Sequence, residues 1–163
     1  MYWLKTKIEE ITSNINLKDI AFLLASTLEI NKVKDSKEKL KIALDFLSSY
    51  KGLKNYIFEF YLKENNKLRC AAISPIEESL KEEYLGKSIS DEDNIYLAFN
   101  LAKVLFFDKI EENKRSHFLD FFKINSYLVL PCKDFGALVV NRNDLSVFSD
   151  YELNLLKTFL DNV

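Results

Sequence analysis

Residues 126–142, SYLVLPCKDFGALVVNR, hold two apolar runs, Tyr127 to Cys132 and Ala137 to Asn141, around the turn Lys133-Asp134-Phe135-Gly136. Near-continuous runs of this length predict strands covered on both faces, and the turn predicts that they pair as a central antiparallel hairpin. Residues 148–163, FSDYELNLLKTFLDNV, then carry the clearest helix start in the chain. Ser149 is the cap, Glu152 reaches back as its box partner, and Phe148 outside can pack on Leu153 inside. Beyond the cap, Leu153, Leu156, Leu160 and Val163 step by three, four and three to the last residue, a narrow apolar stripe.

Upstream of the hairpin, the apolar period separates helices from strands. Residues 3–15 place Leu4, Ile8, Ile11 and Ile15 on one stripe. Asn16 can cap a second helix, with Asp19 in its first turn and Ile20, Leu23, Leu24, Thr27 and Leu28 on one face. Asp35 and Glu38 form a capping box for a third, whose stripe of Leu40, Ala43, Leu44, Leu47 and Tyr50 runs to Gly52. From Asn55 the period becomes two: Tyr56, Phe58, Phe60 and Leu62 alternate with Ile57, Glu59, Tyr61 and Lys63. Glu64-Asn65-Asn66 turns the chain, and Leu68, Cys70 and Ala72 are expected to continue the inward row. Ser74 and Pro75 then predict the start of a short helix, residues 86–90 a loop, Ser90 or Asp91 a further helix, and residues 104–107 a short strand. Residues 113–122 read as a helix with His117, Phe118, Phe121 and Phe122 on one side.

The 163 residues make one domain. Lys+Arg 23 against Asp+Glu 25 provide no basic field for nucleic acid. No run of about 18 uncharged apolar residues predicts a membrane span, and the N-terminus lacks a signal-peptide core, so a cytoplasmic protein is expected. Three isolated glycines cannot write a P-loop or a dinucleotide fingerprint. A single His and two separated cysteines, Cys70 and Cys132, give neither a multi-His metal site nor a CxxC pair. No motif names a cofactor.

Helices, a hairpin, a helical excursion, a short strand, a helix, a second hairpin and a closing helix: over residues 17–163 this order resembles the GAF domain. The segments SYLVLPCKDFGALVVNR and FSDYELNLLKTFLDNV are similar to the family's strand-turn-strand ending in G-x-L-x-V and its F-S-x-x-E-x-x-L-L helix. The resemblance implies an α+β fold, a five- or six-stranded antiparallel sheet with helices on both faces. Residues 24–74 look like the opening of GAF domains in NifA-type activators of sigma-54 RNA polymerase, where the domain precedes an AAA+ ATPase. Where those domains usually have a Gly-rich G-E-G-I-x-G, this chain has Gly86-Lys87-Ser88-Ile89-Ser90-Asp91. The family's cyclic-nucleotide pattern is met in part, by Asn141-Arg142, Phe148 and Glu152-Leu153. Arg142 and Glu152 are alternatively expected to pair as a clasp between strand and helix. Patterns for bilin attachment and for the thiol-dependent reductases of the family are missing.

What the resemblance implies is a non-enzymatic, small-molecule-sensing input domain controlling an attached AAA+ output. The alternative is the sensor domain of a diguanylate cyclase or histidine kinase. In GAF domains the effector pocket lies between the sheet and the helical excursion with its following helix. That places Phe58, Phe60, Cys70, Phe99, Phe107 and Phe121 on its walls, with Asn100 and His117 as polar handles; an aromatic stripe at this spacing equally describes a filled core. The terminal stripes Leu4/Ile8/Ile11/Ile15 and Leu153/Leu156/Leu160/Val163 predict a homodimer, whose repacking would carry the signal.

Overall fold

The computed structural model describes residues 17–50, 56–89, 93–107, 124, 126–142 and 149–161. In chain order these form α1 (Leu17–Ile30), α2 (Ser36–Ser49), β1 (Tyr56–Glu64), β2 (Lys67–Ser74), α3 (Glu78–Tyr84), α4 (Asn94–Leu101), β3 (Leu105–Phe107), β4 (Ser126–Cys132), β5 (Gly136–Arg142) and α5 (Asp150–Asp161). The five strands make one antiparallel sheet in the order β2-β1-β5-β4-β3. The expected α+β architecture with helices on both faces is therefore the observed one. The expected first helix, with Leu4, Ile8, Ile11 and Ile15, and the one carrying His117 and Phe121 lie outside the described residues, as does Val163.

One face of the sheet carries α1, α2 and α5. Leu23, Ile30, Leu44, Leu47, Leu156 and Phe159 meet Phe58, Phe60, Leu128, Leu138 and Val140 in a single core. Phe22 bridges these helices, stacked 4.2 Å from Tyr50 and 6.1 Å from Phe159. The buried positions of α1 are Asp19, Leu23, Ser26 and Ile30. This corrects the expected face, because Leu28 is exposed. Asp35 caps α2 as expected, its carboxylate accepting from the Glu38 N–H at 2.9 Å. That helix ends earlier than expected, at Ser49, with Tyr50 as its cap.

The opposite face carries α3 and α4. Ile95, Ala98 and Phe99 of α4 cover Tyr61, Leu68, Cys70, Ile73, Tyr127, Val129, Ala137 and Val139. Asp93, rather than Ser90 or Asp91, caps α4, accepting from the Ile95 N–H at 2.8 Å. Nor does Ser74 cap α3: that helix begins at Glu78, and the Ser74 hydroxyl donates instead to Asp45 Oδ1 at 2.7 Å.

A β-bulge in the first hairpin matters most for the site. The pairs run Phe60↔Ala72 and then Tyr61↔Cys70, so Ala71 is an extra residue on β2. An extra residue flips the strand's row to the other face. Leu68 and Cys70 therefore share a face with Tyr61, and only Ala72 continues the row of Phe58 and Phe60. The turn itself is tight, with Asn65 and Asn66 at φ 52° and 64°, the conformation that Asn tolerates in two-residue hairpin loops.

Candidate functional site

The expected pocket walls do not converge. Cys70 and Phe99 lie in the α3/α4 layer with Phe107 beside them, while Phe58 and Phe60 lie in the helical layer across the sheet. Asn100 is exposed to solvent and offers that layer no polar handle. His117 and Phe121 lie outside the described residues.

What the α3/α4 layer does contain is a polar cluster that strand alternation did not predict. Glu59 sits on central strand β1 and is 1% exposed. Its carboxyl accepts from the Tyr61 hydroxyl at 2.5 Å and from Asn141 Nδ2 at 2.7 Å. Asn141 also donates to the Ile57 carbonyl, at 3.1 Å. The Asn141 side chain is fully buried, yet its Oδ1 has no hydrogen-bond partner among the described residues. A buried acceptor left in this state costs roughly 1–3 kcal/mol, so it favours any donor that reaches it. Next along the sheet, Tyr127 stacks on Phe107 with centroids 5.0 Å apart, and its hydroxyl accepts from Asn94 Nδ2 at 3.2 Å. The inward polar handle of α4 is thus Asn94, six residues before Asn100. On the β2 side, burial pushes the Tyr84 phenol above its ordinary pKa, and the Glu83 and Glu59 carboxylates add to the shift.

The sequence did hold a signal for Glu59. It shares its row with Ile57 and Tyr61, and an outward-facing row would not alternate one carboxyl with two large apolar bodies. Neither cysteine is placed for redox chemistry with the other, since Cys70 and Cys132 lie in layers on opposite faces of the sheet. Burial also pushes the Cys132 thiol up to about 12, opposed by a backbone hydrogen bond from Leu138 and reinforced by Asp161. Such a thiol is inert as a nucleophile at neutral pH. No group of three or more His, Cys, Asp or Glu suited to a metal occurs among the described residues, and no described helix is long and apolar enough to cross a membrane.

The closing helix is locked to the sheet. Ser149 and Glu152 form the expected reciprocal box, each backbone N–H meeting the other's side chain at 3.1 Å. Glu152 also accepts from the Tyr56 hydroxyl and lies 4.0 Å from Arg142 Nη1. The Arg142 guanidinium stands 4.8 Å over the Tyr56 ring. Leu156 corrects the expectation for this helix. It is fully buried in the chain's own core and not available to a second copy, while Leu153 and Leu160 are half-buried against that core.

A cavity of about 430 Å³ lies in the helical layer. It is bounded by Leu40, Leu44, Leu47, Phe60, Leu62, Phe159 and Leu160. Of the expected wall residues that are described, Phe60 alone touches it.

No protein-family model matches the chain, and no curated protein does either. Solved structures match through the fold. The GAF domain of a phosphoenolpyruvate-protein phosphotransferase from Coxiella burnetii aligns with a TM-score of 0.73 at 16% identity, over 87% of this chain and 88% of that one. A methyl-accepting chemotaxis protein segment gives 0.67 at 14%, over 84% and 91%. A type II free methionine-R-sulfoxide reductase from Thermoplasma acidophilum gives 0.60 at 17%, over 77% and 86%. The fold is GAF-like. Since a phosphotransferase domain, a chemotaxis protein and a reductase share it, fold alone assigns no activity.

Proposed function

We propose that this chain is a non-catalytic, small-molecule-sensing regulatory domain whose effector is read at the Glu59–Tyr61–Asn141 cluster. The observation that carries the reading is the buried Asn141 Oδ1 without a donor among the described residues, beside a buried carboxyl, in a mostly apolar layer. Binding sites of this kind are apolar with a few convergent polar groups. Placement of the two thiols on opposite faces weighs against a reductase.

Coupling to an output follows from sequence adjacency. Asn141 and Arg142 are neighbours on β5, so their side chains leave opposite faces of the sheet. An effector that shifts Asn141 in the α3/α4 layer moves the strand that also presents Arg142 to Glu152 of α5. Differential affinity for two settings of this clasp is enough to bias the closing helix. The resemblance of residues 24–74 supports a NifA-type sigma-54-dependent activator as the setting, with an AAA+ ATPase as the attached output. Pairing of two copies through Leu4, Ile8, Ile11 and Ile15, with Leu153, Leu160 and Val163, belongs to the same reading; Leu156 does not, because it is sealed.

Native mass spectrometry of the protein purified from its own host tests the proposal. A retained small molecule that is lost in Asn141→Leu, with the fold intact, is the expected result. A retained molecule indifferent to Asn141→Leu would overturn the placement of the site.

A further inference from the structure

The cavity between α2 and α5 lies on the other face of the sheet from Asn141, and a second space lies beside it. Leu44, Leu47, Phe60, Leu62, Phe159 and Leu160 line an apolar chamber of about 430 Å³. It exists because α1 packs on both α2 and α5, while the first turns of α2 and the last turn of α5 flank a gap that no described element fills. Cys132, Phe135 and Leu160 are shared with a neighbouring cavity of about 410 Å³, whose other walls are Pro131, Lys133, Lys157 and Asp161.

The two spaces differ in character. The inner one holds apolar side chains and the neutral Cys132 thiol. The outer one is lined by Lys133, Lys157 and Asp161, and Lys39 is among the residues lining the inner chamber. None of the three lysine ammoniums is in an ion pair among the described residues. At the junction Phe135 is 47% exposed, stacked 6.2 Å from Phe60, an aromatic lip between chamber and mouth. Lys133 itself is held at φ 50°, an uncommon conformation for a lysine. An apolar body ending in one negative charge fits both spaces at once.

We infer that this two-part cavity binds an amphiphilic monoanion, an aliphatic carboxylate of medium length, with its tail in the chamber and its headgroup between Lys133 and Lys157. The chamber has room for about fourteen water-sized groups, which a decanoate tail occupies without filling. Tail burial supplies the affinity, and the lysines select the charge. A tail there wedges the C-terminal end of α5 from α2, the helix that Arg142 clasps at its other end. This site is independent of the Asn141 cluster, and either can fail without the other.

Sodium decanoate, kept below its micelle concentration, is the probe, with 1-decanol as the neutral match. Methyl NMR spectra should shift at Leu44, Leu47 and Leu160 and not at Ile73 or Val139 across the sheet. Affinity should rise about fourfold per methylene from hexanoate to decanoate. The Lys133→Gln/Lys157→Gln variant should weaken decanoate by about threefold to tenfold and leave decanol unchanged. Leu160→Trp and, separately, Leu40→Trp should each abolish binding; two blocking variants on different helices guard against one that misfolds. Decanoate shifts confined to the α3/α4 layer, or affinity independent of tail length, would overturn the inference. So would equal loss of decanoate and decanol in the lysine variant. Chamber shifts that follow protein concentration rather than decanoate would give the groove to a second copy and also overturn it.

Discussion

Removing one member of the buried polar cluster should cost far more than removing all of it. Glu59→Met keeps the side chain's bulk and deletes the acceptor of two hydrogen bonds, the 2.5 Å bond from the Tyr61 hydroxyl and the 2.7 Å bond from Asn141 Nδ2. Two buried donors then lose this acceptor, at about 1–3 kcal/mol each. The expected loss is about 3 kcal/mol of unfolding free energy, or about 6–12 °C in Tm for a chain of this size. In Glu59→Met/Tyr61→Phe/Asn141→Leu both donors and the lone Asn141 acceptor are gone, and stability should return to within about 1 kcal/mol of the parent. Urea unfolding followed by circular dichroism measures all variants on one scale, provided the slope with denaturant is unchanged. The triple variant also separates structure from function: folded at parental stability, it should retain no effector in native mass spectrometry. A Glu59→Met loss below about 1 kcal/mol, or a triple variant that loses the sum of its parts, would refute the account of a mutually dependent cluster.

Gly136→Ala drives a Cβ into the Tyr61 carbonyl oxygen and to 2.8 Å from the Phe60 ring. A backbone atom cannot swing aside, so β1 and β5 must part; the expected loss is about 2–3 kcal/mol, read as a lowered urea midpoint. For Cys132, the thiol is raised to about 12 in the folded chain, so its protonated form is the folded one. The associated stability is intact below about pH 8.5, the ordinary thiol value, and is lost as pH climbs toward about 12. Cys132→Ala should flatten that alkaline decline in a pH series of urea melts, though the truncation lowers stability overall.

Much of the architecture was legible because it is written in local periods. The step from three-and-four spacing to alternation at Tyr56, the apolar runs of residues 127–132 and 137–141, and the Ser149/Glu152 box each describe a single element against its immediate neighbours. The strand-to-helix clasp of Arg142 and Glu152 could also be read, since opposite charges flank one short connection. The order of these elements resembles the GAF domain, and the sheet has that fold.

Which face a residue occupies was a different matter. One extra residue, Ala71, put Cys70 across the sheet from Phe60, and the expected pocket is divided because Phe58 and Phe60 face one helical layer while Phe99 and Phe107 lie in the other. Glu59, read as the polar half of an alternation, is buried because β1 is a central strand with helices above and below. Leu156 belongs to the stripe that the spacing predicts, but its partner is the chain's own core. Sequence determined which positions seek burial and in what local geometry, since propensity and period act over a few residues. Only the tertiary structure decided what buries them and which polar groups are thereby brought together, because those contacts join residues such as Glu59 and Asn141 that no local pattern relates.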